Sequence, residues 1–244
     1  WTIANPRLGG GFRFEPRMHD DGAKTVLGRT IKAGGGKTDG EQVLDILAAH
    51  PSTARFISTK LARRFVSDDP PAALVDRAAA RFRATGGDIR EVVRTIVTSP
   101  EFFDAAAYRA KVKTPFEFVV SSLRATGADA VNAQPLVQAV RELGMPLYMC
   151  LPPTGYSDKS EAWVNTGALL NRMNFAVALT NGSLRGVRMR PAAPARDPAA
   201  ARESLERSAL AGDLSPSTSA TVGKATTAPQ VLALLLGSPE FQKR

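Results

Sequence analysis

A chain of 244 residues with 43% hydrophobic and 23% charged residues has an ordinary globular length, can bury one large core or two smaller ones, and is not disordered throughout. Its formal net charge of +9 would suit an anionic partner, but the basic residues are spread along the chain, only 7% of residues are aromatic and no reader motif is present, which argues against nucleic acid. No apolar run approaches the roughly 18 residues of a membrane helix, and the single cysteine, Cys150, closes no internal disulfide and so does not tell an oxidising compartment from a reducing one.

Taken in order, the chain starts at Trp1 with no charged and apolar leader before it, and reads as part of a longer precursor. Residues 1–38 have strand and turn character: Phe12-Arg13-Phe14 alternates, His19-Asp20-Asp21-Gly22 turns, and Thr25-Val26-Leu27-Gly28 follows, predicting a β-ribbon. Ala33-Gly34-Gly35-Gly36-Lys37-Thr38 resembles a phosphate-binding loop only in part, because Ile31 stands where the pattern needs its first glycine; it reads as a flexible connector.

From Asp39 the period becomes helical. Asp39 with Gln42 predicts a capping box, Ile57, Leu61 and Phe65 recur every fourth position after His50-Pro51, and Asp69-Pro70 predicts the next helix start. Asp88 with Glu91 caps a helix whose Ile89, Val92, Val93, Ile96 and Val97 make a full apolar stripe. Thr114-Pro115-Phe116-Glu117 repeats the capping grammar, and 134–143 forms a further helix ended by Gly144 and Pro146.

Residues 146–175 are the richest stretch. A Pro152-Pro153 loop turns at Thr154-Gly155-Tyr156, and a helix is expected from Asp158, with Glu161 closing a capping box. Residues 184–198 read as an Arg/Pro/Ala-rich linker or crossing, 199–210 as a short helix and 213–227 as a polar loop. Ser-Pro-Glu-Phe closes an apolar helix end at Ser99–Phe102 and again at Ser238–Phe241, where proline should stop the helix and the Phe fold back on the apolar face. The expectation is a mainly α, helical bundle-like domain with a short N-terminal β-ribbon: ribbon and connector 1–38, main helical domain 39–183, linker 184–198, and C-terminal helices 199–244 packing on the main domain.

Three groups of residues could carry chemistry. His19, Asp20 and Asp21 place an imidazole and two carboxylates on one turn, able to hold a divalent metal or act as acid and base; the alternative is an Asx-type turn with a surface histidine. Tyr156 and Trp163 could stack on a sugar or another flat ligand while Asn165, Asn171 and Asn174 bond to it. Equally, those rings could anchor a helix start and the asparagines bond to loop backbone. Cys150, between Met149 and Leu151, reads as a buried, inert thiol. No G-x-S-x-G nucleophile context occurs, and no cofactor is predicted.

Five segments together, FRFEPRMHDDGAKTVLG, HPSTARFISTKLARRFV, GGDIREVVRTIVTSPEF, KVKTPFEFVVSSLRA and PPTGY with EAWVNTGALLNRMNFA, resemble the DUF1800 family, bacterial proteins of unknown function. The resemblance covers nearly the whole chain. It implies a longer protein with a helical N-terminal half, an exported setting, periplasmic or extracellular, and a DUF1501-type partner, besides contact with the chain's own N-terminal half. It supplies no catalytic residue. The family's proline-rich loop, Gly-aromatic pair and aromatic-hydrophobic-Asn-Thr run correspond to Pro152, Pro153, Gly155, Tyr156, Trp163, Asn165 and Thr166; Tyr156 replaces a common Trp, leaving a stacking or packing role open. The expected function is an extracytoplasmic binding or assembly component acting with a DUF1501-type protein. The alternative is a hydrolase or metal-dependent enzyme whose site is shared with the N-terminal half.

Overall fold

The computed structural model describes residues 2–3, 10–189 and 197–244. The chain is mainly α, as the periodicity predicts, with eleven α-helices among the described residues and only short antiparallel strand pairs. Residues 190–196 of the expected linker lie outside the described residues. Two compact units form, one from residues 1–62 and 71–99, the other from 63–70 and 100–244.

In the first unit, β1 (Thr2–Ile3) pairs with β2 (Phe12–Arg13), and β3 (Lys24–Val26) pairs with β4 (Arg29–Ile31). The second hairpin turns at Leu27 and Gly28, both left-handed with φ 48° and 76°, the two-residue geometry whose twist matches that of the strands. The helix α1 (Lys37–Ala48) starts earlier than Asp39 predicts, because Gly36 takes the N-cap position at φ 58°. Asp39 is therefore a buried residue of the first turn.

The next helices are α2 (Pro51–Phe65), α3 (Ala72–Ala84) and α4 (Ile89–Val97). Pro71, not Asp69, precedes α3, and the Asp69 carboxylate instead meets Lys159 at 2.9 Å. Asp88 caps α4 as expected, accepting from the Arg90 and Glu91 amides. Glu91 closes no box; it pairs with Arg81 and Arg94. α3 packs on α4, with Leu74, Val75, Ala78 and Phe82 buried from one and Val92 and Ile96 from the other. Each of the larger aliphatic side chains contributes about 1.5–3 kcal/mol by leaving water.

The second unit opens on α5 (Pro115–Thr126), where Thr114 and Glu117 form the predicted capping box and Gly127, left-handed at φ 64°, ends the helix. It continues with β5 (Asp129–Ala130), α6 (Gln134–Glu142), α7 (Thr166–Thr180) and β6 (Val187–Arg188), which pairs with β5. Then come α8 (Pro198–Leu205), prolonged by a π turn over Glu206–Leu210, α9 (Pro216–Val222), α10 (Ala228–Gly237) and α11 (Pro239–Gln242). α9 lies within the stretch read as a polar loop. Its few apolar residues hide the period, but Ser215 caps it on the Thr218 amide and Pro216 opens it.

The core of this unit lies where α10 packs against α7 and α8, around Leu179, Leu205, Leu235 and Leu236. Three aromatic rings meet edge to face there: Phe118 is 5.7 Å from Phe175 and 6.2 Å from Phe241. The two Ser-Pro-Glu-Phe corners differ. Ser238 caps α11 and Phe241 is buried, whereas Phe102 is half-buried.

Glu240 gives this unit an acid sensitivity. Burial alone would raise its pKa, but hydrogen bonds from the Ser215 amide (3.0 Å) and the Thr218 hydroxyl hold it down, to about 2 from 4.5. A carboxylate whose folded pKa is depressed stabilises above its unfolded pKa and loses that contribution as pH falls through the folded one. Stability should thus drop between pH 4.5 and 2, and less so in Glu240→Gln. Thermal melts of both proteins across that window check it.

Candidate functional site

Residues 146–175 form a pinned loop leading into α7. The Tyr156 hydroxyl donates to the Pro146 carbonyl at 2.5 Å, closing the proline loop on itself, and burial raises its pKa. Its ring meets Trp163 edge to face at 6.0 Å, and the Trp163 indole N–H donates to the Ser157 carbonyl at 3.1 Å. Trp163 is 7% exposed. A capping box at Asp158 does not form. The segment instead makes a short 3₁₀ turn at Ser160–Ala162, and Asn165 caps α7 by accepting from the Ala168 amide at 2.9 Å.

The turn is held in place from below by Asp68. One of its carboxylate oxygens accepts from the Ser160 amide at 2.8 Å and the other meets the Lys111 ammonium, which also donates to the Asp158 carbonyl. Burial would raise the Asp68 pKa, but the bonds from Lys111 and Ser160 outweigh it and lower it. A sequence signal for this exists only in hindsight, because Asp68 lies far back in the chain.

The five candidate residues of this stretch do not converge. Tyr156, Trp163 and Asn165 sit at the joint between loop and helix, with the Tyr156 hydroxyl, the Trp163 N–H and the Asn165 Oδ1 engaged. Asn171 and Asn174 lie further along α7 and line a shallow cleft of about 530 Å³ with Ala139, Leu143 and Phe175; the Asn171 amide reaches the Glu142 carbonyl at 3.5 Å. Cys150 is half-buried rather than buried, in a loop whose neighbours Met149 and Leu151 face solvent.

In the first unit His19 turns away from Asp20. Its Nε2 meets the buried Asp39 carboxylate at 2.9 Å, which also accepts from Lys24 at 3.0 Å. That ammonium lowers the Asp39 pKa, burial opposes it, and His19 adds to the lowering. Asp20 closes an Asx turn on the Gly22 amide at 2.8 Å, and Asp21 is exposed, 4.0 Å from His19. Among the described residues no three His, Cys, Asp or Glu side chains gather as a metal site would require. The imidazole and the ammonium share one oxygen of the Asp39 carboxylate and so tie the turn to α1, while the other oxygen is buried without a hydrogen-bond donor among the described residues.

A larger cleft, of about 940 Å³, contains none of the sequence candidates. It lies within the second unit and includes Arg64, Phe103, Tyr108, Arg109, Lys111, Lys113 and Lys243 in its walls. Its one sequence signal is Lys111-Val112-Lys113, basic residues at alternate positions just ahead of the Thr114 cap.

Against known protein families, the model described as "Protein of unknown function (DUF1800)" matches residues 1–243. The chain belongs to the DUF1800 family. No curated protein and no solved structure matches this DUF1800 chain, so its chemistry is read from the two clefts and the pinned loop. No helix among its described residues is long and apolar enough to cross a membrane.

Proposed function

We propose that this DUF1800 chain is a binding or assembly component that acts outside the cytoplasm and docks a DUF1501-type partner through the loop at residues 146–153. One observation supports the docking surface. Tyr148, Met149 and Leu151 project into solvent, with Tyr148 and Leu151 105% and 97% exposed.

The loop is built to hold them there. Met145 and Leu147 pack partly against the core, the Met149 amide donates to Pro146, and Tyr156 clamps Pro146 from the far side. Tyr148 itself adopts a left-handed φ of 59°, which costs a bulky residue of order 1 kcal/mol and persists where its surroundings impose it. A preset backbone presenting apolar side chains loses little entropy on docking. The partner and the exported setting come from the family resemblance.

The test is affinity capture of the full-length protein from its host, alongside a Tyr148→Ser/Leu151→Ser variant, with fractionation of the cells. Both changed residues are exposed, so the melting temperature should stay within about 2 °C. The expected result is a DUF1501-type protein in the periplasmic or extracellular fraction, recovered with the native protein and lost with the variant. Equal recovery by both, or no DUF1501-type protein with either, would sink the docking proposal, and a cytoplasmic location would sink the exported one.

A further inference from the structure

The 940 Å³ cleft of the second unit has a charge imbalance that the docking loop does not involve. Most of its cations are already engaged. Lys111 is bound to Asp68, Arg64 and Arg244 share Glu117, and Arg109 donates to the Leu210 and Glu240 carbonyls with Asp213 3.9 Å from its Nε. Lys113 differs from these. Its ammonium lies 3.6 Å from the centre of the Phe241 ring, and no carboxylate or hydrogen-bond acceptor is placed on it among the described residues.

The backbone of Lys113 is fixed on both sides. Its amide donates to Gln242 at 2.8 Å and its carbonyl accepts from Arg172 at 2.8 Å. The backbone that carries this ammonium is therefore fixed at the cleft wall, and Lys243 adds a second cation to the lining. Phe103 and Tyr108, 75% and 62% exposed, line the same cleft. Large exposed rings beside an unpaired cation are what an anion with a flat or apolar body would cover.

We propose that this cleft binds a small organic oxyanion, a phosphate or sulfate monoester, with Lys113 on the charged group and Phe103 and Tyr108 against the body. The guanidinium forks, which bind carboxylates and phosphates bidentately, are committed to Glu117 and to carbonyls. What remains are ammonium donors, which act as point charges and suit a tetrahedral oxyanion.

Burial, and then the neighbouring Arg109, lower the Lys113 pKa to about 8, with Glu117 opposing and Arg172 adding to the shift. A bound anion favours the charged form, so at pH 8 binding takes up as much as about half a proton. Affinity falls as the pH rises further.

The experiment is titration calorimetry of the 244-residue chain with phenyl phosphate, phenyl sulfate, benzoate, inorganic phosphate and phenol, in buffers of different ionisation enthalpy. Phenyl phosphate or phenyl sulfate should bind more tightly than inorganic phosphate or benzoate, with proton uptake at pH 8, and phenol should not bind. Lys113→Met should weaken binding about tenfold or more and abolish the uptake. Lys113→Arg should keep the affinity without the uptake. Phe103→Ala, at an exposed position, should remove the advantage of the phenyl group. Absence of binding by every anion overturns the proposal, as does unchanged affinity in a folded Lys113→Met protein; tighter binding of benzoate overturns the ester assignment. Should Lys113→Met not fold, the native proton uptake and the Phe103→Ala comparison decide.

Discussion

Arg172→Ala should lower the unfolding free energy by about 3–5 kcal/mol. Arg172 is 1% exposed yet meets no carboxylate directly. One guanidinium nitrogen donates to the Gln242 side-chain oxygen at 2.6 Å, another to the Lys113 carbonyl at 2.8 Å, and the group lies 5.2 Å from the centre of the Phe118 ring. Burial lowers its pKa to about 10, against the pull of Glu117. Truncation would leave two buried acceptors without a donor, at roughly 1–3 kcal/mol each, and open a void beneath Phe118.

Arg172→Met separates those contributions. It refills much of the volume and removes a desolvated charge while still orphaning both acceptors, so its loss should be smaller, about 2 kcal/mol. Urea unfolding of the three proteins measures the order. A loss under about 1 kcal/mol for the alanine variant would show that the guanidinium is not a structural clamp.

Phe118→Ala should cost a similar amount, about 3–5 kcal/mol, by a different route. Phe118 is fully buried at the meeting of Phe175 and Phe241, so deleting its ring takes away two edge-to-face contacts and leaves a cavity that rigid helices do not refill. Phe118→Leu keeps most of the volume and should lose only about half as much. The changes at 118 and 172 share a contact, so the double variant should lose less than the sum of the two single losses. Strict additivity would mean that the cation and the ring do not interact.

Local grammar decided what was legible in the sequence. Thr114 and Glu117 predicted their box and the structure contains it, because both partners lie within one turn and nothing distant competes for them. Asp39, Asp69 and Asp158 carried the same local signals and failed as caps. Lys24 and His19 draw Asp39 away, Lys159 meets Asp69, and α7 begins later at Asn165. The α7 start was misplaced for a further reason: Asp68, far back in the sequence, ties down Ser160 and stabilises a short turn where a helix was expected.

The candidate site was less legible than the fold. Tyr156, Trp163 and Asn165 were visible as an unusual cluster, but composition does not reveal that the Tyr156 hydroxyl, the Trp163 N–H and the Asn165 Oδ1 already have partners. The Lys113 cleft has the opposite character. Its walls come from segments far apart in the chain, around residues 64–66, 102–113 and 243–244, so no window of sequence could display it.

The seam between residues 111–113 and 242–244, closed by paired backbone hydrogen bonds and an antiparallel bridge from Val112 to Lys243, bears on the order in which the protein is made. Phe118 and Phe175 cannot reach their final packing until Leu235, Leu236 and Phe241 have been synthesised, and the long loop between them must close at an entropic cost before any of that burial is recovered. The interior of the second unit thus stays open until α10 and α11 have been synthesised. Before then, that part of the chain keeps its apolar side chains exposed and is the kind of incomplete domain that chaperones hold.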